Sequence, residues 1–212
     1  MKIYDITLPL YEGMPTYPGD PPFRRRVLSK VGSSSEVGFI ETGCHAGTHI
    51  DAPAHMIRGG ARLGEIPLEA LVGPARVLDL RLVKGHIERT HLEPLSWRGV
   101  KRALFRTRNS ARHALAKDFD PDFAALTRGA AEFLAEKRLL FVGVDGPSVD
   151  RFKSGTHPAH MPLLEGGIVI AENLNLHGVP AGSYTLFCGP LKIAGGEGAP
   201  ARAFLVKGTA PR

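Results

Sequence analysis

Cysteine is scarce in this chain: Cys44 and Cys188 are the only two among 212 residues. A disulfide framework is thereby excluded, and both thiols, set in apolar stretches, are expected to be buried and inert. No apolar run is long enough to span a bilayer. The opening Met1-Lys2-Ile3-Tyr4-Asp5-Ile6 lacks the apolar core of a secretion signal, so a cytoplasmic protein with no membrane partner is expected. Gly-x-Ser-x-Gly is absent, which argues against a serine hydrolase. The glycine patterns of dinucleotide and phosphate binding are missing too. There is no strong excess of one charge: 27 Lys and Arg against 21 Asp and Glu leave a net +6. The one tight basic run, Arg24-Arg25-Arg26, has no interleaved aromatics, so a solvated surface is expected and no nucleic-acid partner. The single tryptophan, Trp97, reads as a packing residue.

What is present is ordinary globular composition, 43% hydrophobic and 23% charged, with 25 glycines and 17 prolines that demand many turns. The length suits one domain over residues 1–212. Alternating apolar residues predict a strand over Lys2–Leu10, and Tyr17-Pro18-Gly19-Asp20 a loop. Further strands are expected over 37–44, 75–82, 102–106, 138–144, 182–193 and 201–207. Asp120-Pro121, followed by Phe123, Leu126, Ala130, Phe133 and Leu134, predicts a helix over 121–137 capped by Asp120. Short strands outnumber helices. The expected fold is α/β, one compact domain with a mixed, partly barrel-like sheet.

The chemistry is concentrated in His45-Ala46-Gly47-Thr48-His49-Ile50-Asp51-Ala52-Pro53-Ala54-His55. Three histidines and an aspartate fall on odd positions. In a straight strand His45 and His49 would stand about 13 Å apart. Ligands of one ion bond at about 2.0–2.2 Å and must converge, so the backbone has to curl, and Gly47 is the residue best able to allow it. Imidazole and carboxylate donors favour a zinc-like or manganese-like ion, with coordination positions left for water.

The pattern H-x-G-T-H-x-D-x-P-x-H resembles the signature of the cyclase-like metal-dependent hydrolases, the family that contains bacterial kynurenine formamidase. The resemblance extends over most of the chain, through Asp5-Ile6-Thr7-Leu8-Pro9-Leu10, Pro18-Gly19-Asp20, the stretch 142–150, His157-Pro158-Ala159-His160 and Glu172-Asn173-Leu174. It implies a swivelling-type β/β/α domain, homo-oligomers from dimer upward, and two divalent ions per subunit, zinc with manganese as the alternative. By the same resemblance His45, His49 and Asp51 would hold the first ion and His160 the second, Asp51 and Glu172 being shared. His157 is the rival for His160, which the family's spacing to Glu172 favours. His55 would be the acid/base rather than a ligand. Tyr17 falls where kynurenine formamidases carry a substrate-stacking tryptophan, a departure that bears on substrate rather than on chemistry.

The implied activity is hydrolysis of a small-molecule amide by a metal-activated water. An aryl formamide such as N-formylkynurenine, a step of tryptophan catabolism, leads. The alternatives are another amide, a lactone or a cyclic imide, and, from a different class, a catalytically silent metal-binding protein. His86, His91, His113 and His177 have no clustered partner and read as surface residues. Glu41 and Glu165 are expected in solvent, and Gly195-Gly196-Glu197-Gly198 as a flexible loop.

Overall fold

A computed structural model describes residues 1–32, 35–113 and 118–208. Its strands are β1 (Lys2–Asp5), β2 (Arg24–Ser29), β3 (Val37–Glu41), β4 (His49–Asp51), β5 (Val72–Asp79), β6 (Arg102–Arg106), β7 (Phe141–Val144), β8 (Val169–Glu172), β9 (Gly182–Pro190) and β10 (Gly198–Lys207). The helices are α1 (Leu68–Leu71), α2 (Arg89–Leu92), α3 (Asn109–His113), α4 (Arg128–Glu136) and α5 (His160–Glu165). Side-by-side order in the main sheet is β1-β10-β4-β8-β7-β6-β5-β9. β10 also pairs with β9 over 201–206 while its first residues, 198–200, pair with β4, and this closes seven strands into a mixed barrel. The expected partly barrel-like α/β fold is therefore what forms. β5 to β8 run parallel, joined by crossovers that carry α2 to α5, as parallel neighbours require.

Strand alternation divides the apolar residues between two cores. Leu104, Phe141, Val169 and Ala171 point into the barrel with Leu186, Ala203 and Leu205. Their neighbours Phe105, Val142, Val144 and Ile170 face outward, under Phe133 and Leu134 of α4 and Leu163 of α5. β2 and β3 form a separate two-stranded ribbon that leaves Leu28, Val31 and Ile40 exposed. Arg24 and Arg25 on it pair with Glu41 and Glu36, as a solvated basic surface would.

Several predicted boundaries shift, and one shift is instructive. The helix expected over 121–137 starts only at Arg128, with Thr127, not Asp120, accepting the capping bond from Ala130 N–H. The backbone of 123–127 is claimed by other partners before it can coil. Asn109 bonds both Ala124 N–H and its carbonyl, and Leu126 N–H donates to Val149 O. Thr127 N–H donates to Ile87 O. Asp120 instead closes a local turn, accepting from Asp122 N–H. β1 ends at Asp5 rather than Leu10, and β2, β8 and α5 were not anticipated as elements.

Candidate metal centre

The histidine segment curls where the spacing argument requires. Gly47 has φ +58°, a left-handed conformation, and a Cβ there would lie 2.5 Å from Leu10 Cδ2. Thr48 then anchors the chain: its hydroxyl donates to Asn173 O at 2.6 Å and accepts from Leu8 N–H. The three residues that follow form β4, wedged between β10 and β8, in a register that sets His49 opposite Glu172. Pro53–His55 form a 3-10 turn, which swings His55 back over the segment.

Five side chains from three segments, the histidine segment, α5 and β8, converge. His49 Nε2 lies 3.4 Å from Asp51 Oδ1 and 3.4 Å from Glu172 Oε2. His160 Nε2, on α5, lies 3.5 Å from Asp51 Oδ2 and 3.3 Å from Glu172 Oε1. His45 Nδ1 lies 2.8 Å from Asp51 Oδ1. The His55 ring packs 4.2 Å from that of His45 and 5.9 Å from that of His160, between ring centres. His49, Asp51, His160 and Glu172 are buried.

The far nitrogens are anchored. His49 Nδ1–H donates to Gly47 O at 2.8 Å, which leaves Nε2 as the nitrogen turned to the carboxylates. His160 Nδ1 lies 2.7 Å from Asp150 Oδ2. His49 Nε2 and Asp51 Oδ2 are buried and make no hydrogen bond. Orphaned polar atoms in a buried cluster of imidazoles and carboxylates are what ligands of a divalent ion look like, and the donor set fits one.

Charge within the cluster balances internally. Burial pulls His49 down, but Asp51 and Glu172 outweigh it and raise it to about 9. His160 is likewise driven well above its ordinary value, its burial overcome by Asp150, Asp51 and Glu172. Burial would raise Asp51, yet His49, His160 and His45 hold it well below the usual carboxylate range. His55 goes the other way: burial, with help from His45 and His160, lowers it.

The cluster floors a cavity of about 810 Å³. Tyr17 and Phe119 make one wall, backed by Phe152, the three rings in mutual contact at 5.0–5.7 Å between centres. Asn109, Ser148, Asn173 and Asn175 add polar groups.

Of the seven residues singled out from sequence, His45, His49, His55, His160, Glu172 and Tyr17 line this one cavity, and Asp51 lies buried directly against His45, His49 and His160. His160 rather than His157 converges with Asp51 and Glu172. His157 is exposed, 3.7 Å from Asp150. His86, His91 and His177 lie outside the cluster, and the side chain of His113 is outside the described residues. Trp97 packs on Phe133, and Glu41 and Glu165 are exposed, as expected. Two expectations are corrected. Cys44 is only half-buried, its sulfur directed at Glu197, while Cys188 is fully buried and pushed up to about 12 by desolvation. The 195–198 stretch is no idle loop: Glu197 Oε1 stands 3.6 Å from His45 Nε2, and Gly198 starts β10 directly against the His45 ring. Asp150 and Glu197 were not foreseen. Asp150 closes the resembling 142–150 stretch, and its spacing to His157 and His160 was the available signal.

A closed mixed barrel carrying a buried histidine–carboxylate cluster defines a metal-dependent hydrolase of the cyclase type. The chain belongs to that family: the profile described as "Putative cyclase" matches residues 4–151. It is 38% identical over 203 residues to a kynurenine formamidase of Bacillus cereus, covering 95% of each chain. It superposes with a TM-score of 0.84 on a structure described as a potential metal-dependent hydrolase with cyclase activity, at 37% identity and 96% of both chains. Isatin hydrolase A from Ralstonia solanacearum is similar at a TM-score of 0.82 and 27% identity, over 97% of this chain and 92% of that one. No helix among the described residues is long and apolar enough to cross a membrane.

Proposed function

We propose that this chain is an arylformamidase that cleaves N-formylkynurenine, or a close aryl formamide, to the free arylamine and formate. The observation that carries the reading is the convergence of His49, Asp51, His160 and Glu172 beneath an aromatic wall in one cavity. Similarity to kynurenine formamidases along nearly the whole chain supports it.

His45, His49 and Asp51 would hold one ion, and His160 a second, with Asp51 and Glu172 common to both; zinc suits the donors, and manganese is the alternative. Bound there, such ions polarise a carbonyl and make water nucleophilic near neutral pH. The protein's own groups do the rest. Tyr17 and Phe119, with Phe152 packed behind them, offer an aryl ring flat and edge contacts that orient the scissile amide over the cluster. His55, lowered by burial, is a neutral base at working pH; its ring nitrogen takes a proton and returns it to the leaving nitrogen. Gly47 and Asp150 keep the imidazoles of His49 and His160 from turning, and Thr48 fixes the backbone between His45 and His49.

The likeness to isatin hydrolase A supports a second reading, in which the same residues open a cyclic amide. The test is purified, zinc- or manganese-loaded protein with N-formylkynurenine and isatin side by side, with and without chelator. Turnover of the formamide that chelation abolishes supports the first reading. Turnover of isatin alone transfers the assignment to the second.

Residues 1–212 act as one hydrolase domain, because β1 and β10, from opposite ends of the chain, pair in one sheet. The free state of Cys44 and Cys188 supports a cytoplasmic location. The exposed apolar residues of the β2–β3 ribbon support a homo-oligomer.

A further inference from the structure

The two buried imidazoles, His49 and His160, both turn Nε2 toward the carboxylates Asp51 and Glu172, and each has its Nδ1 fixed by a different device. For His49 the device is the Gly47 carbonyl, which can only accept, so the tautomer is set by the backbone. For His160 it is a side chain, and a mutable one. Asp150 is buried, and each of its oxygens has one main task. Oδ1 accepts Ala159 N–H at 2.6 Å, at the start of α5. Oδ2 lies 2.7 Å from His160 Nδ1. Asp150 N–H in turn bonds Ser148 Oγ at 3.2 Å, which ties the acceptor to the loop after β7.

We propose that Asp150 is a positioning residue for the metal centre: it holds His160 as the Nδ1–H tautomer and aims Nε2 between Asp51 and Glu172. The inference rests on the reading of His160 as a ligand. The chemistry follows from acceptor count. A carboxylate serves both Ala159 N–H and His160 Nδ1–H at once. A carboxamide has one acceptor oxygen and one NH2. If the oxygen of Asp150→Asn stays on Ala159 N–H, the NH2 faces His160 Nδ1 and donates to it. Nδ1 then becomes the lone-pair nitrogen and Nε2 carries the proton, where it cannot ligate. The side chain keeps its size, so packing changes little while the tautomer reverses. Partners of this kind are generally worth about 10–100-fold in metal affinity.

The experiment measures zinc affinity by competition with a chromophoric chelator for wild type, Asp150→Asn, Asp150→Glu and His160→Ala. It adds long-range 1H–15N spectra of 15N-histidine-labelled protein. Wild type loaded with zinc should show His160 protonated at Nδ1 and ligated at Nε2. Asp150→Asn should weaken zinc by about 10–100-fold, and at saturating zinc its spectrum should lose the pattern of His160 protonated at Nδ1 and ligated at Nε2. Asp150→Glu, which keeps two acceptors, should recover part of the loss and the wild-type pattern. Zinc affinity within twofold of wild type for Asp150→Asn, while His160→Ala loses zinc, overturns the proposal and leaves the ligand reading intact. Unchanged zinc binding in His160→Ala overturns the ligand reading itself. A wild-type spectrum with the proton on Nε2 of His160 overturns the proposal even if the variants fail to fold.

Discussion

Stripping divalent metal should lower thermal stability by a margin that the buried cluster sets. His49 Nε2 and Asp51 Oδ2 are buried without a hydrogen bond, and each such atom costs about 1–3 kcal/mol. Asp51 and Glu172 are also two like charges, both reached by His49 and His160, so the metal-free cluster depends on protons for its balance. An ion satisfies the orphaned atoms and replaces the protons. At a free concentration 1,000 times Kd, mass action stabilises the fold by about 4.1 kcal/mol. A chain of this size gains about 2–4 °C per kcal/mol, so the midpoint should rise by about 8–16 °C.

Proton bookkeeping gives the prediction its pH dependence. His49 is raised to about 9, so at pH 7.5 the metal-free protein holds a proton on it, and the carboxylates around His160 raise that group in the same direction. A folded-state pKa above the unfolded value of about 6.5 contributes stability that is complete below 6.5 and is lost as pH rises toward 9. Metal-free protein should therefore weaken between pH 7 and 9, and the gain from metal should grow over the same window as protons compete less. Differential scanning calorimetry of chelator-stripped protein, titrated with zinc at pH 7.0, 8.0 and 9.0, measures both effects. Calorimetric titration in buffers of different ionisation enthalpy should show proton release at pH 7.5. A midpoint shift under about 2 °C at saturating zinc, or no proton release, would refute the assignment of these residues as ligands.

His55→Ala should keep its metal and lose about 10²–10⁴-fold in kcat, whereas His49→Ala should lose metal; equal metal loss in the two would make His55 a ligand. Tyr17→Ala should raise KM for aryl formamides by about 2- to 13-fold, the worth of one aromatic contact, with kcat less affected, and an unchanged KM would remove Tyr17 from the substrate wall. Asp145 is buried, and desolvation lifts it despite bonds from Ser110 and Thr107. Its proton is thus held more tightly in the folded than the unfolded state, so its contribution favours folding at low pH and is lost as pH rises above 3.8 through the folded value. A carboxyl NMR titration of Asp145 with a midpoint at or below 3.8 would contradict this.

How much of the site could be read in advance follows sequence distance. His45, His49, Asp51 and His55 were legible because four donors within eleven residues, with a glycine between the first two, leave few conformations that let them meet. The strand pattern of 102–106 was legible for a similar reason, its short apolar centre Ala103-Leu104-Phe105 being fully buried. The helix over 121–137 was misread because Phe123 and Leu126 keep a helical period, while Asn109, Ile87 and Val149 claim the backbone between them. Periodicity reports which side chains are apolar, and says nothing of a competing partner fifteen residues upstream.

The partners of the histidines were harder still, since pairing rather than proximity in the chain delivers them. Glu172 reaches His49 because β4 and β8 pair in the register that sets them opposite each other. Glu197 reaches His45 because β10 pairs its first residue, Gly198, with Asp51. A shift of β4 by one residue against either neighbour would turn His49 and Asp51 to the other face and bring Ile50 toward the cavity. Ile50 is what resists that shift. It is fully buried in the barrel core, and the alternation His49-Ile50-Asp51 sends the two donors to one face and the isoleucine to the other. The burial of one apolar side chain thus holds two metal-competent side chains in place. Ile50→Asp, which would set a carboxylate in that core, should cost the site its geometry as well as the fold its stability.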